Sequence, residues 1–114
     1  MDGGHNVQGV NVLVDSLKDI FPNKSFIFIM GVLADKDYEK MVESIIPIAK
    51  KIYTITPPNP RHLSGEDLSA VFNNKGITAQ PVKIDEAIST AKASATSDDI
   101  IVAFGSLYSI SSLV

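Results

Sequence analysis

The 114-residue chain has no cysteine, which excludes disulfides, thiolate zinc sites and cysteine nucleophiles. Its two histidines, His5 and His62, are too few for a convincing metal site, and no helical segment carries paired metal ligands. No window of about 18 uninterrupted apolar residues occurs, so nothing reads as a membrane span. The first twenty residues carry Asp2, His5, Asp15 and Asp19 where a secretory signal would have a basic start and an apolar run. The cytoplasm is therefore the expected compartment, by default. Positive charge is not in excess, since 10 Lys and Arg meet 13 Asp and Glu for a net charge of -3. A nucleic-acid surface is not expected from such a balance. Also missing are a GxxxxGK[ST] phosphate loop, a GxGxxG after a strand and a GxSxG elbow. What remains is ordinary globular material, 45% hydrophobic and 20% charged, long enough for residues 1–114 to form one domain with its own core.

Apolar spacing alternates between two periods along the chain. Residues 6–21 place Val7, Val10, Leu13 or Val14, Leu17 and Ile20 or Phe21 on one helical stripe, with Asn6 as N-cap and Pro22 as stop. Phe26-Ile27-Phe28-Ile29-Met30 lacks polar alternation and predicts a strand covered on both faces. A second helix is expected over 37–50, with Tyr38, Met41, Val42, Ile45 and Ala49 on its stripe, Asp37 as cap and Pro47 distorting its last turn. Ile52-Tyr53-Thr54-Ile55-Thr56 predicts the next strand, closed by Pro57-Pro58. Ser64 then opens a helix with Asp67 three residues on and Leu63 and Leu68 as a staple, and Gly76 closes it. A strand over 77–82, a helix over 85–95 and a buried strand over 100–104 follow, with a short final helix after Gly105-Ser106.

No strand-to-strand connection is a tight hairpin, so the strands must be joined by crossover helices. The expected class is α/β, a Rossmann-like three-layer sandwich with a mostly parallel sheet and helices on both faces. In such a sheet ligands bind beyond the strand carboxyl ends. Four loops should gather there, at 2–6, 31–37, 56–64 and 105–108. Both ends read as cut: a glycine-rich loop at the start should follow a strand, and 111–114 lacks a helix stop. A fragment of a larger protein is expected, with a sheet edge or apolar patch left open to self-association.

Each loop has a chemical reading and a plain one. The first, Asp2-Gly3-Gly4-His5-Asn6, runs into a helix start whose free N–H groups favour an anion, with His5 as donor or proton carrier; the plain reading is a tight turn in which Asp2 and Asn6 satisfy backbone donors. Asp35-Lys36-Asp37 reads as an exposed turn and a cap. The three prolines around Asn59-Pro60-Arg61 either pre-orient Arg61 for a carboxylate or simply stiffen a connector. Ser106 either bonds a ligand or caps a helix. A Ser106-His5-Asp2 triad can be assembled on paper, but without the elbow it carries little weight.

Taken together, Asp2-Gly3-Gly4-His5-Asn6, Gly31-Val32-Leu33-Ala34-Asp35-Lys36-Asp37, Asn59-Pro60-Arg61 and Gly105-Ser106-Leu107-Tyr108 resemble the C-terminal domain of the Mur ligase superfamily, and within it folylpolyglutamate synthase and its bifunctional dihydrofolate synthase form. The first motif is similar to that family's Asp-Gly-Ala-His-Asn signature, with Gly4 in place of alanine. The resemblance implies an ATP-dependent amide ligase that joins L-glutamate to folate through an acyl phosphate. It implies that ATP and Mg2+ are held mainly by an N-terminal ATPase domain of the same chain, so that this domain alone is inactive, and that the full-length protein is a monomer. By the same resemblance Asp2, Gly3 and Asn6 contact the nucleotide, Asp2 at its ribose, and His5 and Asp2 are the catalytic pair. His5, Arg61 and Ser106 hold the incoming glutamate; Asp35, Lys36 and Asp37 match without an assigned role. The alternatives are a non-catalytic Rossmann-like module that binds a nucleotide or a partner, and a ligase that adds amino acids to a cell-wall precursor.

Overall fold

The computed structural model describes residues 7–32, 34, 38–58, 60 and 62–105. The final helix expected after Ser106 and the caps expected at Asn6 and Asp37 lie outside them. Helix α1 (Val7–Ile20) leads into strand β1 (Ser25–Gly31), and α2 (Tyr38–Ile45) with a 3-10 turn (Ile46–Ile48) into β2 (Ala49–Thr54). Then come α3 (Gly65–Asn74), β3 (Ala79–Pro81), a 3-10 turn (Ile84–Glu86), α4 (Ala87–Ser94) and β4 (Asp99–Gly105). The described strands form one sheet in the order β3-β2-β1-β4, and every pairing in it is parallel. The α/β layered architecture expected from the alternation of periods is therefore the one observed.

The apolar run of β1 supplies the centre. Phe26, Phe28 and Met30 face one side, where they pack with Val10, Val14 and Leu17 of α1, Met41, Val42 and Ile45 of α2, and Leu68 and Phe72 of α3. Ile27 and Ile29 face the other, with Tyr53, Ile55, Ala103 and the small residues Ala87 and Ala91 of α4. Among the described residues, three helices thus cover one face and one covers the other. On α1 the stripe ends on Phe21, which is half-buried, whereas Ile20 is 66% exposed.

The second helix ends earlier than its apolar stripe suggests. Pro47 occupies the start of the 3-10 turn, where its missing N–H and its ring stop further α-helical bonding. Ala49, read as helical, is the first residue of β2. The strands expected over 52–56 and 77–82 shift accordingly to Ala49–Thr54 and Ala79–Pro81, the latter a three-residue edge strand ending on a residue that cannot donate to a ladder. The fourth helix is likewise split, its first turn being 3-10.

Helix α3 carries the caps written in the sequence. Ser64 Oγ accepts the Asp67 N–H at 3.1 Å. At its far end Gly76 takes φ +91°, and the Gly76 and Ile77 N–H groups bond the Asn73 and Phe72 carbonyls at 3.1 and 3.2 Å. This is a Schellman closure, which requires the left-handed residue that glycine supplies at least cost.

The amino edge of the sheet is tied by charge. Lys50 Nζ at the start of β2 lies 2.7 Å from Asp99 Oδ2 at the start of β4, and the Thr96 N–H donates to the same oxygen at 2.8 Å. These contacts hold the Asp99 carboxyl below its ordinary value of 3.8. A lowered carboxyl stabilises the fold above its ordinary value, and that contribution is lost as pH falls through the lowered one. Asp99→Asn is therefore expected to lower the melting temperature at pH 7, with a difference that shrinks steadily as pH falls below 3.8, as thermal denaturation followed by circular dichroism across a pH series would show.

Candidate active site

The carboxyl edge of the sheet is where the chain order reverses. Strands β1 and β4 are neighbours in register up to their last residues, Gly31 opposite Gly105. From β1 the chain leaves over the face covered by α1, α2 and α3, but it reaches β4 by way of α4 on the opposite face. Such a reversal leaves a crevice beyond the strand ends. At Gly31 an added Cβ would lie 2.8 Å from Ile55 Cγ1, so the absence of a side chain there lets the next segment close in.

That next segment is tied back to β1. The Ile55 N–H donates to the Met30 carbonyl at 3.0 Å, and the Leu63 N–H donates to the Val32 carbonyl at 3.1 Å. The chain leaving β2 and the chain approaching α3 are thus both held beside the end of β1. The start of α3 is pressed against the end of β2. Thr54 Oγ1 donates to the Gly65 carbonyl at 2.7 Å and lies 2.6 Å from Ser69 Oγ, while the Gly65 N–H donates to Thr56 Oγ1 at 2.8 Å. A Cβ on Gly65 would sit 3.3 Å from the Thr54 carbonyl oxygen. Thr54 and Ser69 are buried polar residues that satisfy one another, as a low-dielectric interior demands.

Helix α1 contributes its amino end to the same edge. Only residues 21–24 separate it from the start of β1, and its buried stripe lies along the face of β1, so it runs antiparallel to that strand. Its first turn contains no acidic residue. By contrast α2 begins with Glu39, α3 with Glu66 and Asp67, and α4 follows Asp85 and Glu86. Carboxylates at a helix start offset the positive end of its dipole; the first turn of α1 has none, and that of α4 has none within the helix but follows Glu86 directly.

An open cleft of about 600 Å³ lies further along the edge, lined by Thr56, Glu66, Pro81, Lys83, Glu86 and Thr90 among others. These residues come from the ends of β2 and β3, the first turn of α3 and the run into α4. No spacing in the sequence connects them. Among the described residues no group of His, Asp and Glu could hold a metal ion, and no helix is long and apolar enough to cross a membrane.

The residues singled out from the sequence, Asp2, Gly3, His5, Asn6, Arg61 and Ser106, lie outside the described residues. Their immediate neighbours do not. Val7 opens α1, Pro60 and His62 flank position 61, and Gly105 ends β4. The hydroxyl cluster of Thr54, Thr56 and Ser69 was not anticipated. Its signal was present, however: two threonines at the end of an otherwise apolar strand, facing a serine inside an amphipathic helix.

These features define an α/β domain with its ligand edge at the strand carboxyl ends. The family profile described as Mur ligase, glutamate ligase domain, matches residues 1–107, and the chain belongs to that family. Dihydrofolate synthase/folylpolyglutamate synthase of Bacillus subtilis is 30% identical over 115 residues, covering 99% of this chain and 26% of the relative. Folylpolyglutamate synthase of Lacticaseibacillus casei is 33% identical over 76 residues, 66% of this chain and 18% of the relative. E. coli FolC in complex with ADP has the same fold, with a TM-score of 0.84 at 20% identity over 99% of this chain and 27% of that one. The bifunctional folylpolyglutamate synthase/dihydrofolate synthase of Yersinia pestis, complexed with AMPPNP and Mn, gives 0.78 at 19% identity over 96% and 26%. The chain spans about a quarter of the length of these relatives.

Thr54→Val keeps the shape of a buried residue but leaves the Gly65 carbonyl without its hydroxyl donor and Ser69 without its partner. The expected cost is about 1–3 kcal/mol of stability, read from the urea midpoint of the variant against the parent chain.

Proposed function

We propose that the chain is the C-terminal domain of a longer, cytoplasmic, ATP-dependent amide ligase that adds L-glutamate to folate, as folylpolyglutamate synthase or its bifunctional dihydrofolate synthase form. The observation that carries this reading is the family match over residues 1–107, made specific by relatives named for folate chemistry. The geometry is consistent with it. A helix start with no carboxylate in its first turn, at the carboxyl edge of the sheet, suits a phosphate-bearing ligand.

In this reading ATP supplies the phosphoryl group that activates the growing carboxyl, with Mg2+ and the phosphates held mainly by an N-terminal ATPase domain. This chain's part is orientation and charge. Asp2, with Gly3 and Asn6 beside it, holds the nucleotide ribose at the entrance to α1. His5 stands near the reacting carboxyl and steadies charge as the amine adds. Arg61 grips a carboxylate of incoming glutamate, and Ser106, next after β4, bonds the same molecule. The glutamate nitrogen attacks the activated carbonyl carbon, phosphate leaves, and the amine gives up a proton. That step needs alignment and electrostatic support more than a protein nucleophile. Closure of this domain over its partner excludes water that would hydrolyse the activated carboxyl.

The test is transfer of labelled glutamate to a reduced folate or to dihydropteroate by the full-length protein with ATP. His5→Ala is expected to lower turnover by about 10²–10³-fold, and the isolated domain is expected to be inactive. Ligation of alanine or diaminopimelate to a cell-wall precursor in place of glutamate to folate would overturn the substrate assignment. Near-normal turnover in His5→Ala and Asp2→Ala would overturn the site.

A further inference from the structure

The amino edge of the sheet carries a second cleft, of about 440 Å³, a size that suits a small ligand. It lies between the end of α1, the start of β1 and the start of β2. Phe21, Pro22, Pro47 and Ile48 give it an apolar wall, and the half-buried Phe21 ring meets the buried Phe26 ring edge-on at 6.4 Å. Its charged residues are Lys18, Lys24 and Lys50, and among the described residues no carboxylate lines it. The chain as a whole has a net charge of -3 and 10 Lys and Arg, so this local excess of positive charge runs against the composition. The three lysines come from separate elements, and no spacing in the sequence connects them.

The neighbouring carboxylates leave much of that charge in place. Asp99, whose side chain is 2% exposed, takes one bond from Lys50 at 2.7 Å, while the Lys50 side chain stays 45% exposed with two further N–H donors. Lys24 donates to the neutral Ser97 carbonyl at 3.2 Å. It lies 3.8 Å from Asp98, whose side chain is 84% exposed, and solvent weakens such a pair. Lys18 has no ion-pair partner among the described residues. Ammonium donors thus stand beside an aromatic and proline surface. A bare anion would use the lysines and leave that surface wet, and a neutral ring would leave the ammoniums unpaired. A ring that bears negative groups uses both.

We propose that the amino-edge cleft is a second binding site, for a small aromatic dianion, with Lys18 and Lys24 taking its charged groups and Phe21 and Pro22 its ring. Lys50 adds to the field while holding Asp99. Ser25 at this cleft and Gly31 at the carboxyl edge are the two ends of β1, about 20 Å apart at about 3.3 Å per residue. The site is therefore separate from the one assigned to ligation and does not rest on that reading.

Titration calorimetry on the full-length protein tests it with four probes. Isophthalate carries two carboxylates on a ring, and phenyl phosphate carries a phosphate. Glutarate has the charge without the ring, and isophthalamide the ring without the charge. Saturable one-to-one binding of isophthalate or phenyl phosphate is expected, about tenfold tighter than either control. The tighter of the two shows whether carboxylate or phosphate bears the charge. Lys18→Gln and Lys24→Gln are each expected to weaken that binding about fivefold. Lys92→Gln, an equal loss of charge at an exposed position of α4, leaves it unchanged. No saturable binding of either aromatic dianion, equal binding of glutarate, binding that survives both Lys18→Gln and Lys24→Gln, or an equal loss in Lys92→Gln overturns the site. Ligase turnover plays no part in the readout, so the failure of either reading leaves the other standing.

Discussion

The structure depends on β1 being buried on both faces and paired in parallel on both edges. Its run of five apolar residues has no solvent side, so it needs cover above and below. Parallel neighbours cannot be reached by tight turns and require crossovers. Each crossover returns the chain to the amino edge, so α2, α3 and α4 each begin beyond the end of a strand. The gathering of helix starts, glycines and hydroxyls at one edge follows from how the central strand is buried.

The two edges of the sheet are satisfied in different ways. At the amino edge charges meet each other: Lys50 pairs with Asp99 at 2.7 Å and Lys24 approaches Asp98 at 3.8 Å. The second pair is exposed and contributes little, whereas the first joins the starts of two strands that do not pair with one another. At the carboxyl edge neutral groups do the tying, through Thr54, Thr56, Ser69 and backbone amides. These neutral ties hold the loops in shape, while the charged groups of that edge, Glu66, Lys83 and Glu86 among them, line its cleft.

That division suits the role proposed for this domain, one wall of a ligase site. Amide ligation asks for two substrates to be aligned and for transient negative charge to be balanced. A sheet rigid at its core and stiffened by prolines at its rim provides alignment. In the function proposed here, the first turn of α1, lacking carboxylates, is the part of the described fold suited to that balance. The family assignment, covering residues 1–107, and the shared fold with longer solved relatives place these features in a domain that makes up about a quarter of such proteins.

Local pattern was enough for much of this. The run from Phe26 to Met30, the stripe of Met41, Val42 and Ile45, the Ser64 cap and the Gly76 stop each concern residues within a turn or two of one another, and periodicity and capping chemistry act over that range. The motifs at Asp2, Arg61 and Ser106 were legible as motifs for the same reason. Strand limits were less so. Ala49 has the right spacing for α2, and only the proline before it and the pairing of Phe26 with Ala49 decide that it belongs to β2. The clamp on Gly65 and the meeting of Gly31 with Gly105 lay wholly beyond the linear text. Both arise between residues that are distant in sequence, and strand order and register, which the packing of the whole core selects, are what bring them into contact.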